Sequence, residues 1–238
     1  MFFLAGQGYR AIAHDRRGRG RSSQPWEGND MDTCADDLDE LVEHLDLKNA
    51  MVVGHSTGGG EVVRYLARPG SSRVSKAVLV AAVPPLVVET DKSPHGVPKE
   101  VSDGFRTNIL ANRSKFFFDA PSGPFFSYNR PEANVSQTRI WSWWRRGMAC
   151  GFRAVYDCVK AFSETDFTDD LKGLNVPVLV LHGDDDQVVP IEASEKRSAE
   201  LVQPGMLKVL KVLKVAPHTL PANCAEEVND SLLEFLTS

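Results

Sequence analysis

Three kinds of side chain in this sequence have the types and the order needed for nucleophilic acyl transfer. Ser56 lies in residues 54–58 (GHSTG), which match the pattern G-x-S-x-G. A run of three aspartates at 184–186 and then His218 each follow an apolar run later in the chain. A serine hydroxyl is a weak nucleophile at neutral pH, so it needs a histidine base that a carboxylate orients. The residues therefore predict a site in which Ser56 attacks, His218 accepts the proton and one aspartate holds the imidazole.

The sequence around Ser56 favours a tight turn from a strand into a helix. An apolar run at 51–53 precedes the motif, and a helical pattern covers 61–67. The glycines at 58–60 are each about 1 kcal/mol worse than alanine in a helix, so we expect close packing to require them. The alternatives are a glycine-rich surface turn and a phosphate-binding loop, and the second is disfavoured because no Gly-Lys-Ser/Thr follows.

Apolar runs and helical patterns alternate along much of the chain, which predicts a mostly parallel sheet flanked by helices. Strands are predicted at 11–14, 51–53, 76–83, 176–181 and 207–215. Helices are predicted at 32–47, 61–67 and 191–201 and at the C-terminus. The triplet Leu-Lys-Val occurs three times in succession from Leu207. Because its period is odd, it would reverse the facing of side chains within a strand unless a bulge absorbs it.

Residues 87–164 break this alternation, because five prolines are interleaved there with aromatic clusters and short helical patterns. We predict a helical cap at 87–164, inserted into a core formed by 1–86 and 165–238. The aromatic side chains either form the core of this cap or wall an apolar acyl or aryl pocket, and both interpretations stay open. These residues are Phe116, Phe117, Phe118, Phe125, Phe126, Trp141, Trp143 and Trp144.

Composition excludes several kinds of partner and site. The 238-residue chain has a net charge of −5, which gives no electrostatic reason to expect nucleic acid or an anionic membrane. Its 4 cysteines show no C-x-x-C and no metal-ligand spacing, so neither a disulfide scaffold nor a metal site is expected. No signal peptide and no apolar run of ~20 residues is found, which favours a cytoplasmic protein. The basic run at 16–21 lacks interleaved aromatics and is expected to form ion pairs in a solvated loop.

Five segments carry a specific resemblance. They are 15–22 (DRRGRGRS), 54–61 (GHSTGGGE), 162–171 (FSETDFTDDL), 182–190 (HGDDDQVVP) and 216–218 (APH). Together they resemble the bacterial non-haem haloperoxidases, also called cofactor-free chloroperoxidases and arylesterases, and the resemblance extends from Phe3 through the chain. It implies the α/β-hydrolase fold, whose order of site residues is also Ser, Asp, His.

The resemblance also implies roles for individual residues. The three aspartates cannot be ranked by chemistry alone, but the family's H-G-D-x-D-x-x-V-P segment maps its triad member to Asp186. Asp184 and Asp185 become turn-forming or supporting residues, and His55 and His182 are expected to pack or hydrogen-bond. The backbone N–H of Thr57 is the expected oxyanion donor, because it follows the nucleophile. No cofactor and no metal are expected.

An N-terminal difference from the family is expected too. Family members carry an H-G-W-P-like loop, which supplies the second oxyanion donor, ahead of the helix that leads into the equivalent of 8–10 (GYR). This chain begins within that helix, so that loop and the N-terminal strands, on the order of 30 residues, are expected to be missing.

Two hypotheses of function follow. The first is a cofactor-free serine hydrolase of small carboxylic esters; in the family, hydrogen peroxide can replace water and form a peracid that oxidises halide. Dehalogenases and epoxide hydrolases on this fold use an aspartate where Ser56 stands, which argues against them. The second hypothesis is a catalytically impaired fragment or a binding module that keeps the fold. The expected partners are a small ester or carboxylate and hydrogen peroxide, and a homo-oligomer is left open.

Overall fold

The computed structural model describes residues 1–68 and 71–238, with the backbone alone for 208–210, and its strands form one parallel sheet. The sheet has the order β1-β2-β3-β4 and consists of β1 (Ala50–His55), β2 (Val74–Val80), β3 (Val178–Gly183) and β4 (Leu207–Leu213). The carboxyl ends of parallel strands meet at one edge of a sheet. The serine, the aspartates and the histidine of the predicted site follow β1, β3 and β4, so the topology gathers them at that edge.

Helices connect and cover these strands, as parallel pairing requires. In the first part of the chain they are α1 (Phe2–Gly6), α2 (Met31–His44) and α3 (Thr57–Leu66). After β2 they are α4 (Lys99–Ser122), α5 (Gln137–Met148), α6 (Phe152–Glu164), α7 (Thr168–Lys172), α8 (Glu195–Leu201), α9 (Leu220–Asn223) and α10 (Ala225–Thr237). Within residues 1–68 and 71–238 none of these helices is long and apolar enough to cross a membrane.

The core lies on both faces of the sheet. Successive side chains of a strand point to opposite faces, and β2 shows this directly. Ala77 and Leu79 pack with apolar residues of α2 and α3, whereas Val78 and Val80 pack with residues of α10. A strand buried on both faces has a nearly continuous apolar sequence, which explains why β2 and β3 were recognisable without alternation.

The strand predicted at 11–14 is wrong. This segment has no regular structure, and no backbone hydrogen bond joins it to any other described residue. A strand is stabilised by ladder hydrogen bonds to a neighbour, and the described sheet ends at β1 with no strand beyond it. Ile12 is 39% exposed, so an apolar sequence alone did not bury this segment.

The segment between β2 and β3 is largely helical, as expected. α4 packs against α5 and α6, and Ile109 joins Val155 and Val159 in a small separate cluster of buried side chains. α4 is interrupted at Asn112, whose φ of −162° and ψ of 91° are not helical. Two helical runs therefore meet at an angle within α4.

The Leu-Lys-Val repeat coincides with an irregularity in β4. Val178 of β3 pairs with Leu207, whereas the next residue, Leu179, pairs with Val209, so β4 contains one extra residue. A bulge of this kind restores the alternation that an odd repeat disturbs. How the side chains of 208–210 face lies outside the described residues.

Candidate active site

Ser56 lies in the turn between β1 and α3, and its backbone is strained. Its φ of 54° and ψ of −122° lie outside the regions that residues with a Cβ ordinarily adopt. The conformation is held from both sides, since Ser56 N–H donates to Val80 O at 3.0 Å and Ser56 O accepts from Val83 N–H at 3.2 Å. The end of β2 therefore supports the turn that presents the Ser56 hydroxyl.

The glycines of this turn differ in how much space surrounds them. A Cβ at Gly54 would lie 2.4 Å from Gly58 O, and one at Gly59 would lie 2.3 Å from the Ala82 side chain. Gly60 is similarly crowded by Phe167. A Cβ at Gly58 would meet nothing within 4 Å, so the close packing expected for all of 58–60 is wrong for Gly58.

This contrast leads to a stability prediction. Gly54→Ala should lower the free energy of unfolding by about 2–3 kcal/mol, because its Cβ overlaps backbone atoms that cannot move independently. Gly58→Ala is the matched control and should leave that free energy unchanged or raise it by up to ~1 kcal/mol. Urea unfolding of both variants measures the difference. Equal stability of the two variants would contradict the proposed steric role of Gly54.

The structure brings Ser56, Asp186 and His218 into one hydrogen-bonded row. His218 Nε2 lies 2.9 Å from Ser56 Oγ, and His218 Nδ1 lies 2.8 Å from Asp186 Oδ2. Asp186 Oδ1 accepts from the backbone N–H groups of Val188 and Val189, each at 2.9 Å. Both carboxylate oxygens are thus engaged, which fixes the orientation of the carboxylate. Distances of this size permit a histidine to accept the proton of the serine hydroxyl.

The neighbouring aspartates point elsewhere. Asp184 Oδ1 accepts from Val215 N–H at 2.5 Å, on the connection that follows β4. Asp185 accepts from Ser127 Oγ at 2.5 Å and pairs with Arg130, both in the segment between α4 and α5. Of the three aspartates, Asp186 is the one that meets His218, and the other two hold adjoining loops.

Burial and charge act on the ionisable groups of the row. Burial opposes ionisation of Asp186, but the charge and hydrogen bond of His218, the charge of His182 and the Val189 amide together lower the pKa of Asp186 below its usual value. Burial and the charge of His218 lower the pKa of His55 to about 4. A carboxylate and an uncharged His55 therefore flank His218 at neutral pH.

The ring of His218 is held in place by its surroundings. Phe125 meets it edge-on with ring centroids 5.5 Å apart. The next residue, Thr219, donates from Oγ1 to Phe125 O at 3.0 Å. His55 Nε2–H donates to His218 O at 2.9 Å. His218 itself is 1% exposed, so its position is set by packing as well as by hydrogen bonds.

Thr57, the expected oxyanion donor, is the first residue of α3. The first amides of a helix have no carbonyl acceptor within it, and the helix dipole is positive at that end. The Thr57 N–H therefore has the electrostatic character that a developing oxyanion requires. Whether it serves as that donor stays a prediction.

The aromatic side chains of 87–164 differ in their surroundings. Phe116 and Phe125 line a cavity of about 610 Å³ together with Phe105, Phe162 and several valines. Trp143 instead packs on Phe125 and Phe126. Trp141 is 58% exposed. Some of these side chains thus line an apolar cavity and others pack on one another, and the use of the cavity for an acyl or aryl group stays a prediction.

The basic run forms ion pairs, as expected. Arg16 Nη1 lies 3.0 Å from Glu61 Oε2, and Arg17 makes two hydrogen bonds to the Asp37 carboxylate at 2.5 Å each. The side chain of Glu61 is only 5% exposed, so this pair is less solvated than the sequence indicated. It joins the loop at 16–21 to α3, which carries the turn of Ser56 at its start.

The other ionisable groups do not form a metal site or a reactive thiol. Within the part of the chain that the structure describes, no three His, Cys, Asp or Glu side chains are grouped so as to hold a metal. The cysteines are all free. Burial raises the pKa of Cys34 to about 11, which makes its thiol a poor nucleophile.

Sequence reasoning missed one buried pair. His182 was expected to pack or hydrogen-bond, and Glu195 was not singled out. The structure places His182 Nδ1 2.8 Å from Glu195 Oε2, with both side chains almost fully buried. A glutamate in the first turn of a helix commonly faces solvent, so nothing in the local sequence distinguishes Glu195.

Comparison with known proteins identifies the family. The sequence matches the family described as alpha/beta hydrolase fold over residues 3–212. The solved structure of a bromoperoxidase from Bacillus anthracis superposes with a TM-score of 0.92 at 38% identity, over 99% of this chain and 84% of that one. The chain therefore belongs to the α/β-hydrolase family, which confirms the predicted fold class.

Two relatives show which members of this family the chain resembles. A non-heme chloroperoxidase of Streptomyces lividans is 54% identical over 238 residues, which cover 100% of this chain and 85% of that protein. The bifunctional esterase/perhydrolase DCH of Acinetobacter calcoaceticus is 52% identical over 238 residues, again 100% of this chain and 85% of that protein. The resemblance to the non-haem haloperoxidases and esterases is thereby confirmed.

Proposed function

We propose that this chain is a cofactor-free serine hydrolase of small carboxylic esters with a perhydrolase side activity. The observation that carries the proposal is the hydrogen-bonded row from Ser56 Oγ through His218 to Asp186, beginning at a strained turn. The relatives named esterase/perhydrolase and non-heme chloroperoxidase, which match the whole chain, support the same reaction class.

The first half of the reaction forms an acyl-enzyme. Ser56 Oγ attacks the ester carbonyl while His218 Nε2 takes its proton. Asp186 accepts the hydrogen bond from His218 Nδ1–H and stabilises the imidazolium. The carbonyl oxygen becomes an oxyanion, and the Thr57 N–H donates to it. The tetrahedral intermediate then collapses, the C–O bond to the alcohol breaks, and His218 returns the proton to the departing alkoxide.

The second half frees the enzyme. Water gives a proton to His218 and attacks the acyl carbon, after which the bond to Ser56 Oγ breaks and the proton returns to Ser56. A carboxylic acid leaves. When hydrogen peroxide attacks in place of water, the same steps release a peroxycarboxylic acid. That peracid, rather than any bound cofactor, would oxidise halide in solution.

The apolar cavity supports small acyl or aryl groups as substrates. Phe125 both lines the cavity and contacts the His218 ring, and Val188, whose amide binds Asp186, lies on the same wall. The cavity of about 610 Å³ is within the size range of small-molecule sites and is walled chiefly by apolar side chains. An aromatic or short aliphatic group next to the row of Ser56, His218 and Asp186 fits these walls.

We further propose that 87–164 forms a cap over the core of 1–86 and 165–238. The separate apolar cluster between α4 and α6 supports this division. The acidic composition and the free cysteines support a cytoplasmic protein that acts on neutral small molecules rather than on nucleic acid or membranes.

The proposed function is tested by assaying one preparation, dialysed against a chelator, for two activities. Hydrolysis of a short-chain aryl ester should be observed, as should halide oxidation that requires both hydrogen peroxide and the ester. Both should be absent from Ser56→Ala and retained in Ser72→Ala, which replaces an exposed serine. Halide oxidation that persists in Ser56→Ala, or that needs no ester, would contradict the proposal.

A further inference from the structure

Two buried ionisable side chains, His182 and Glu195, lie close to Asp186 and take no part in the proposed reaction steps. His182 is the penultimate residue of β3 and is 0% exposed, and Glu195 begins α8 and is 1% exposed. Their closest atoms, His182 Nδ1 and Glu195 Oε2, are 2.8 Å apart. The contact is an ion pair rather than a well-aligned hydrogen bond, and neither atom has another hydrogen-bond partner among the described residues.

The contacts of His182 define its protonation state. Its Nδ1 faces the Glu195 carboxylate, and its Nε2 lies 3.0 Å from Val189 O and 3.3 Å from Asp186 Oδ2. All of these are acceptors. A neutral imidazole carries one N–H and one bare nitrogen, which would be set against an acceptor oxygen, whereas an imidazolium donates from both nitrogens. The contacts therefore favour a charged His182, which would place a positive charge beside both carboxylates.

His182 is linked to Ser56 through Asp186 and His218. The Oδ2 atom of Asp186 that lies 3.3 Å from His182 is the same atom that accepts from His218 Nδ1 at 2.8 Å. Glu195, His182, Asp186 and His218 thus form a continuous row of contacts that ends at the hydroxyl of Ser56. An imidazolium on Asp186 competes with His218 for the negative charge of that carboxylate.

Glu195 also binds the segment after β2 that supports the turn of Ser56. Its second oxygen, Oε1, accepts from Ala82 N–H at 2.5 Å. Ala82 lies just beyond the end of β2 and packs directly on Gly59 of α3. The two oxygens of one buried carboxylate therefore connect His182 in β3 with the segment that supports the turn of Ser56.

On the basis of the proposed serine mechanism, we propose that His182 and Glu195 are positioning residues that orient Asp186 and limit how strongly it stabilises a protonated His218. Glu195 keeps His182 charged, and His182 shares the Asp186 carboxylate. Because His182 and His218 share one oxygen of Asp186, less of the carboxylate's charge is left to stabilise the imidazolium that His218 becomes during the reaction.

The electrostatics of the pair are consistent with this arrangement. Burial alone would lower the pKa of His182, but the Glu195 carboxylate, Asp186 and the Val189 carbonyl raise it to about 9. The other ionisable groups that face this cluster are His55 and His218. Since the folded pKa exceeds the unfolded value of about 6.5, the charged pair stabilises the fold below pH 6.5 and this contribution is lost as pH rises through 9.

Glu195→Gln tests the proposal with little change in shape. The amide oxygen keeps the bond to Ala82 N–H, while its NH₂ group faces His182 Nδ1, which must then lose its proton. The acid limb of the kcat/KM profile should move to higher pH by roughly half to one unit, because Asp186 is no longer shared. The matched control is Glu192→Gln, an exposed glutamate paired with Lys196 on the same segment, and it should leave the profile unchanged. An unchanged profile in Glu195→Gln, or a shift to lower pH, would overturn the proposal.

A second measurement does not depend on activity. In ¹⁵N-histidine spectra, assigned by loss of a signal in His182→Gln, His182 should show two protonated nitrogens at pH 7.5 in the native protein and one in Glu195→Gln. A neutral His182 in the native protein would overturn the proposal even if the esterase is fully active. A charged His182 in a protein without esterase activity would instead contradict the proposed function alone.

Discussion

Replacing Ser56 with alanine should lower kcat for ester hydrolysis by roughly 10⁵- to 10⁶-fold, because no other group can form the acyl-enzyme. The lost hydrogen bond from Ser56 Oγ to His218 should change the free energy of unfolding by no more than about 1 kcal/mol. Steady-state kinetics and urea unfolding of the same preparation measure both quantities. A loss of less than about 100-fold would mean that the nucleophile lies elsewhere.

Ser56→Gly separates chemistry from strain. The φ of 54° and ψ of −122° cost a residue with a Cβ on the order of 1 kcal/mol or more, but glycine adopts them readily. The glycine variant should therefore be as inactive as the alanine variant, yet about 1 kcal/mol more stable than the native protein. A stability gain with loss of activity would show that the strain at Ser56 is maintained for its hydroxyl. A glycine variant less stable than the native protein would contradict this.

Replacing Asp186 with asparagine should lower kcat by roughly 10³- to 10⁴-fold with a small effect on KM. The asparagine oxygen can keep the bonds from the Val188 and Val189 amides, so the loop should hold. Its NH₂ group would then face His218 Nδ1, which favours the tautomer that carries the proton on Nε2. That tautomer cannot accept the proton of Ser56.

Asp184→Asn and Asp185→Asn are the matched controls for this prediction. Asp184 binds the connection after β4, and Asp185 binds Ser127 and Arg130, so neither contacts His218. Each should lower kcat by less than about 10-fold, and Asp185→Asn should act mainly through KM, because it loosens a segment of the proposed cap. A larger loss of kcat in either control than in Asp186→Asn would assign the acid role differently.

Sequence pattern was sufficient to locate the turn of Ser56 because local geometry demands it. A strand, a G-x-S-x-G motif and a helix must meet within a few residues, and β1 and α3 do so. The aspartate that contacts the histidine was harder to predict from the sequence. Three adjacent aspartates are chemically equivalent in sequence, so the choice of Asp186 rests on the resemblance, and its contact with His218 supports that choice.

Features that depend on distant neighbours were not predictable in the same way. The apolar run at 11–14 resembles β2 and β3 in composition, but it has no partner strand among the described residues and stays irregular. Gly58 looks like Gly59, yet only the second lies against Ala82. Glu195 owes its burial to contacts with His182 and Ala82, which are far from it in sequence. In each case the deciding contact is tertiary.

Covalent labelling with a fluorophosphonate probe, followed by peptide mass analysis, tests the role of Ser56 most directly. The probe reacts with a serine only when a neighbouring base activates it. We predict that one probe molecule attaches to the peptide containing Ser56 in the native protein, and that this label is lost in His218→Ala. A folded native protein that stays unlabelled, or a label at Ser56 that persists without His218, would contradict the central claim.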